Sequence, residues 1–280
     1  MMLHPERADS HRLAAELADH LISKGNDVRL SEPEATAIKK PELGCALEML
    51  ADSVDLAVSI GGDGTMLRTF ERVARQGIPV LGVNVGDLGY LTEFEADEAK
   101  EAIEAALNSA LPVEERLMVQ SRIERANGQS DGTWTGLNEA VLEKKSQGHT
   151  VRLEVTIDGS AFATYAGDGL IVSTPTGSTA YNLSARGSIV APTHWSLQLT
   201  PVAPHMLFDR SLVLRPDTEI RIAVLGEREA NLSVDGRSVA VLGNGDVLVA
   251  TRSDVIARLV TSGSGGFHQV LKQKFGLKDR

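Results

Sequence analysis

The chain has 280 residues, 42% of them hydrophobic and 24% charged, which is material for two domains, each with its own core. Its net charge of −10 gives no whole-chain footprint for nucleic acid or an anionic membrane, so a phosphorylated ligand has to be held by local donors. A single cysteine, Cys45, excludes an internal disulfide and a cysteine-rich zinc site, and the seven histidines show no metal-ligand spacing, so no dedicated metal site is expected.

Residues 1–20 are polar and charged, without the apolar run of a signal peptide, and no stretch reaches membrane-spanning length. The expectation is a soluble, cytoplasmic protein with no membrane partner. Leu13, Leu17 and Leu21 form a helical stripe that Gly25-Asn26 ends before a short strand at 27–30. Cys45, with no activating neighbour, reads as a small buried residue. Residues 55–60 are a short apolar run and predict a buried strand. That strand runs directly into Gly61-Gly62-Asp63-Gly64-Thr65, after which Met66, Leu67, Phe70 and Val73 recur at helical spacing.

The glycines therefore sit on a strand-to-helix turn, where backbone N–H groups and a helix N-terminus make an anion site. Without Cβ atoms, the backbone can approach phosphate oxygens closely. A carboxylate in such a site is repelled by phosphate unless it binds a metal or takes a proton, which singles out Asp63. The bland alternative is a tight turn in which Asp63 caps the helix. No Lys-Ser/Thr follows, so this is not a Walker loop, nor is it a GxGxxG fingerprint. A second buried strand is expected at 78–83. An amphipathic helix at 97–110, with Ala102, Ile103, Ala106 and Leu107 on one face, should be capped by Asp97 or nearby carboxylates. This order predicts a small parallel sheet covered by helices.

After Leu111-Pro112 the pattern changes. Asn138-Glu139 form a polar pair after a turn, and residues 151–157 alternate strictly before Asp158-Gly159, a hairpin signal. Short strands at 219–224, 231–234 and 238–242 are punctuated by Asp235-Gly236 and Asn244-Gly245. They predict stacked antiparallel sheets or a sandwich. Residues 168–181, DGLIVSTPTGSTAY, run a buried strand into a Ser/Thr/Gly turn and then a short helix at 179–185 with Gly187 near its stop. Hydroxyls and amides there suit ribose, amide or phosphate groups; the alternative is a turn that merely caps itself. Residues 267–275 look helical. The expected division is an α/β domain with a parallel sheet at 1–111, completed by 263–280, and a β-rich domain at 112–262.

Four segments in this order, GGDGT at 61–65, LGVNVG followed by LGYLT at 81–92, LNE at 137–139 and DGLIVSTPTGSTAY, resemble the bacterial NAD kinase family. The first is shared with diacylglycerol-kinase-like and phosphofructokinase-like enzymes; the last is the specific one. The resemblance implies NAD bound between the two domains, and phosphorylation of the 2′-hydroxyl of its adenosine ribose by ATP or inorganic polyphosphate. It also implies a divalent cation, Mg2+ or Mn2+, accompanying ATP, and a homotetramer. Residue by residue, it makes Asp63 the proton acceptor, with Gly61, Gly62, Gly64 and Thr65 around it and Arg68 one turn on. Asn138, Glu139, Asp168 and the segment Thr179, Ala180, Tyr181, Asn182 and Ser184 would contact NAD, with Ala203 a weaker match.

Four positions depart from the family pattern. Arg186 interrupts a Gly-Gly pair, Ser211 replaces a Pro, Arg237 stands where Gln is common after Asp-Gly, and His149 falls where Arg is frequent. His149 and Arg237 are kept as candidate contacts at the rim. A lipid kinase of the diacylglycerol type would want an apolar groove or basic face, and a dinucleotide sensor without catalysis would have no need of Asp63. Both remain as alternatives at this point.

Overall fold

A computed structural model describes residues 1–86, 89–146, 148–263 and 266–277. The chain divides into one unit of residues 1–115 and 257–280 and another of residues 116–256. In the first unit, strands Ala57–Gly61 and Val80–Asn84 are buried along their whole length, as uncharged runs in a helix-covered parallel sheet should be. They pair in parallel, Ala57 opposite Val80 and Ile60 opposite Val83. Met2–Leu3 adds a parallel edge beside Ser59 and Ile60, and Leu259 lies parallel to Val80. The sequence gives no sign of the strand at Met2–Leu3, because two residues carry no period.

Helix Ala8–Ser23 buries Ala14, Leu17, Ala18 and Leu21, and Gly25 takes φ +84° just beyond it. Leu17, Leu21, Ile60, Leu81, Val83 and Ile103 share one core cluster. The strand expected at 27–30 shrinks to Leu30–Ser31, paired with Gly44–Cys45. Cys45 is half-buried, its Sγ 3.5 Å from the Leu30 carbonyl, rather than fully buried. The helix expected at 97–110 runs Ala99–Leu107, and Glu98 at its N-cap makes no side-chain capping bond, so the expected carboxylate cap is absent.

In the second unit, Val151–Ile157 pairs antiparallel with Ser160–Gly167 and with Ile220–Leu225. The turn at Asp158-Gly159 takes φ +48° and +76°, the left-handed pair that a two-residue hairpin requires. A six-stranded antiparallel sheet runs in the order Leu212–Leu214, Leu197–Val202, Gly169–Ser173, Glu139–Lys144, Ala230–Val234, Arg237–Leu242. Leu153, Ile222 and Val224 from the first group share a core with Leu142, Val172, Leu199 and Leu232 from the second. The fold is thus an N-terminal α/β domain and a β-rich domain of stacked antiparallel sheets. Alternation then puts Glu139, Ser173, Gln198 and Thr200 on the sheet face away from that core.

Candidate functional site

Strand Ala57–Gly61 ends at the first glycine of GGDGT, and helix Asp63–Val73 begins two residues later. Gly62 is the N-cap, and its carbonyl accepts the N–H groups of Thr65 and Met66 at 2.9 and 3.2 Å. Asp63 is therefore the first helical residue and makes no capping bond, which removes the capping role. Its carboxylate reaches instead to a later segment: Tyr90 N–H donates to Oδ1 and Oδ2 at 3.0 and 2.9 Å, and Leu91 N–H to Oδ1 at 3.0 Å. Gly89 permits this approach, because a Cβ there would meet Asp63 Oδ1 and Thr92 Oγ1. Leu88, part of the same motif, lies outside the described residues.

The glycines of the turn differ. A Cβ on Gly61 would collide with the Thr65 side chain, so packing alone accounts for it. Gly62 and Gly64 have nothing within 4 Å of a Cβ among the described residues, so no contact there requires their smallness. Arg68 donates to the Leu3 carbonyl at 2.9 Å and lies 3.5 Å from Thr65 Oγ1, so its guanidinium is already engaged in fastening the N-terminal strand. The Lys274 ammonium sits 4.2 Å above the Tyr90 ring.

In the second unit, the turn at 137–139 is held by a residue distant in sequence. Asp235 accepts N–H from Leu137 at 2.7 Å, Asn138 at 2.8 Å and Glu139 at 3.2 Å. The Asn138 carbonyl accepts Thr174 N–H at 2.8 Å, and Thr174 Oγ1 donates to the Leu137 carbonyl at 2.5 Å. Gly177 passes so close to the Asn138 backbone that any Cβ would overlap it. Asn138-Glu139 and the STPTG turn are thereby one knot. Glu139 is 6% exposed and its Oε2 is buried without a hydrogen-bond partner among the described residues. Burial, and secondly the Asp235 carboxylate, push its carboxyl up to about 8.

The segment after Ser173 is a 3-10 turn, Thr176–Thr179, followed by helix Tyr181–Ser184, in place of the single helix expected at 179–185. The left-handed residue that stops it is Arg186, φ +66°, rather than Gly187. Thr179 and Ala180 are half-buried, while Tyr181 and Ser184 are exposed. Burial raises the Tyr181 hydroxyl, as do the carboxylates of Glu143, Asp168 and Glu139. Asn182 is fully buried, with its carboxamide bonded inside the chain to the Ser188 carbonyl and to Thr200 Oγ1.

Asp168 is paired with Lys144, Nζ to Oδ1 2.5 Å, both partly exposed. His149 is exposed and lines a cavity of about 220 Å³ with Lys144, Ser146, Thr150, Arg228 and Glu229. Ala203 holds φ +43° after strand Leu197–Val202, its carbonyl 3.0 Å from where a Gly167 Cβ would lie. Arg237 is exposed at the start of its strand, opposite Val234 and two residues from the Asp235 that anchors residues 137–139. Sequence reasoning missed Asp235, Thr174 and Lys144. Asp235 was visible only as half of a hairpin turn, and nothing local announces partners 96 to 98 residues away.

Comparison with known proteins agrees across both units. The family described as ATP-NAD kinase N-terminal domain matches residues 10–111, and ATP-NAD kinase C-terminal domain matches residues 137–262. The NAD kinase of Moorella thermoacetica is 39% identical over 275 residues, covering 98% of this chain and 88% of that protein. The NAD kinase of Symbiobacterium thermophilum is 38% identical over 260 residues, 92% of each chain. Among solved structures, yeast NADH kinase complexed with NADH superposes with a TM-score of 0.92 at 26% identity, over 99% of this chain and 86% of its own. An NAD kinase from Archaeoglobus fulgidus shares the fold at a TM-score of 0.71, with 23% identity, over 94% of this chain and 93% of its own. Nothing among these relatives favours a lipid kinase or a sensor. The chain belongs to the ATP-NAD kinase family.

Proposed function

We propose that this chain is an NAD kinase that transfers the γ-phosphoryl group of ATP, or a terminal phosphoryl of polyphosphate, to the 2′-hydroxyl of the adenosine ribose of NAD. The 2′ oxygen attacks phosphorus, the bond to the leaving phosphate breaks, and the hydroxyl proton passes to the Asp63 carboxylate. Magnesium or manganese enters bound to the nucleotide phosphates, as part of that substrate.

The observation that carries this reading is a carboxylate on the first residue of a helix, flanked by Gly62 and Gly64, whose smallness nothing among the described residues requires. That open backbone suits phosphate oxygens. Asn138, Glu139, Asp168, Thr179, Ala180, Tyr181 and Ser184 supply the NAD contacts, with His149, Ala203 and Arg237 at their edge. Asn182 and Arg68 act through neighbours. Among the described residues no helix is long and apolar enough to cross a membrane. A homotetramer completes the reading; Leu207, Phe208, Phe162 and Val213 are apolar and exposed on the second unit, which suits contact with another copy.

Incubation with NAD, ATP and magnesium should yield NADP, and Asp63→Asn should lower turnover about a hundredfold to ten-thousandfold while NAD still binds. Asn keeps the Oδ1 acceptor for Leu91 but presents N–H groups toward Tyr90, so a modest loss of melting temperature accompanies it. Absence of NADP with either donor, or a variant within about threefold of the parent, refutes the reading.

A further inference from the structure

We propose that Ser211 is a positioning residue for the dinucleotide, acting through Thr200 and Asn182 on the turn at 176–185. The inference rests on the NAD kinase reading above. Asn182 sits at the centre of this turn with no solvent exposure. Its Nδ2 faces two carbonyls, Ser188 at 3.3 Å and Ser178 at 3.5 Å, which fixes the carboxamide orientation. Its Oδ1 therefore points at Thr200 Oγ1, 2.6 Å away, and accepts a hydrogen bond from that hydroxyl. Thr200 has one proton to give, so its 2.6 Å contact with Ser211 Oγ requires Ser211 to donate. The direction of the chain is set: Ser211 to Thr200 to Asn182.

The Asn182 carboxamide thus ties both ends of the turn to strand Leu197–Val202. Gly187 wraps tightly over it, giving its N–H to the Asn182 carbonyl at 2.8 Å, and a Cβ at 187 would overlap the carboxamide. Thr179, Ala180, Tyr181 and Ser184, the NAD contacts proposed above, are carried by this turn and keep surface to offer a ligand. A proline at 211, the commoner residue in the resemblance, has no hydroxyl and cannot start the relay. Ser211 supplies a donor that holds Thr200 in the rotamer Asn182 needs, and it follows a segment in which Leu207 stands fully exposed.

The test compares Ser211→Ala, Thr200→Val, their combination and Ser211→Thr by NAD binding, steady-state kinetics and melting temperature. Loss of one neutral hydrogen bond in the relay should raise the Kd and KM for NAD about two- to tenfold in either single variant. KM for ATP should stay within about twofold, the double variant should add little to the larger single effect, and Ser211→Thr should retain parental NAD affinity. Unchanged NAD affinity in folded Ser211→Ala, equal losses for NAD and ATP, or additive effects in the double variant overturn the proposal. If Ser211→Ala does not fold, Ser211→Pro, which also lacks the hydroxyl, takes its place in the same comparison. A parent protein that binds no NAD would instead refute the functional reading itself.

Discussion

Glu139 keeps a proton where most carboxyls have lost theirs. The folded protein holds it up to about pH 8, while the unfolded chain releases it near 4.5, so between these values the folded state binds more protons. Its contribution is fully present below about pH 4.5 and is lost as pH rises through about 8, at up to about 1.4 kcal/mol per pH unit. Glu139→Gln removes the titration and keeps the shape. The difference in urea unfolding free energy between parent and variant should therefore shift in favour of the variant from pH 5 to pH 8; parallel pH profiles would contradict the assignment. Asp63 and Glu139 were legible as chemistry-bearing residues because each follows a turn signal. Their settings were not: the amides on Asp63 come from 27 and 28 residues on, and Asp235 lies almost a hundred residues from the turn it holds.

Elements with a strong period were read most fully. Val151–Ile157 alternates, Ala57–Gly61 is a bare apolar run, and both form with ends shifted by at most two residues. The two-residue strands at Met2–Leu3 and Gly44–Cys45 have no period and were invisible, and the stretch at 176–185 splits because its hydroxyls bond backward to backbone, as Thr179 Oγ1 does to the Thr176 carbonyl at 3.4 Å. The stop of helix Tyr181–Ser184 carries a removable cost. Arg186 holds φ +66° with its side chain exposed, a region where a Cβ is crowded and glycine is not. Arg186→Gly should raise stability by about 0.5–1 kcal/mol, visible as a higher urea midpoint at unchanged slope. A lowered midpoint would mean that the arginine side chain contributes more than its backbone costs.

For the whole molecule, the exposed apolar group on the second unit sets the expectation. Phe162 and Phe208 meet edge to face at 5.9 Å between centroids, and Leu207, next to Phe208 in sequence, is fully exposed. Light scattering at micromolar concentration should report a closed homo-oligomer well above 29.9 kDa, and Leu207→Asp should shift it toward that mass. A parent already at 29.9 kDa would end the expectation. The division of the chain also bears on how it is made. Leu259 lies beside Val80, and the Ser262 N–H reaches the Glu93 carboxylate across 169 residues. On a ribosome adding about 5–20 residues per second, the strand Val80–Asn84 waits roughly ten to forty seconds for its neighbour, while the second unit emerges in between. Phe94–Glu95 covers the far end of that edge at Val83 and Asn84, but during that interval its start at Val80 is open to other nascent chains, so expression yield should respond to translation speed and to chaperone supply more than the finished protein's stability suggests.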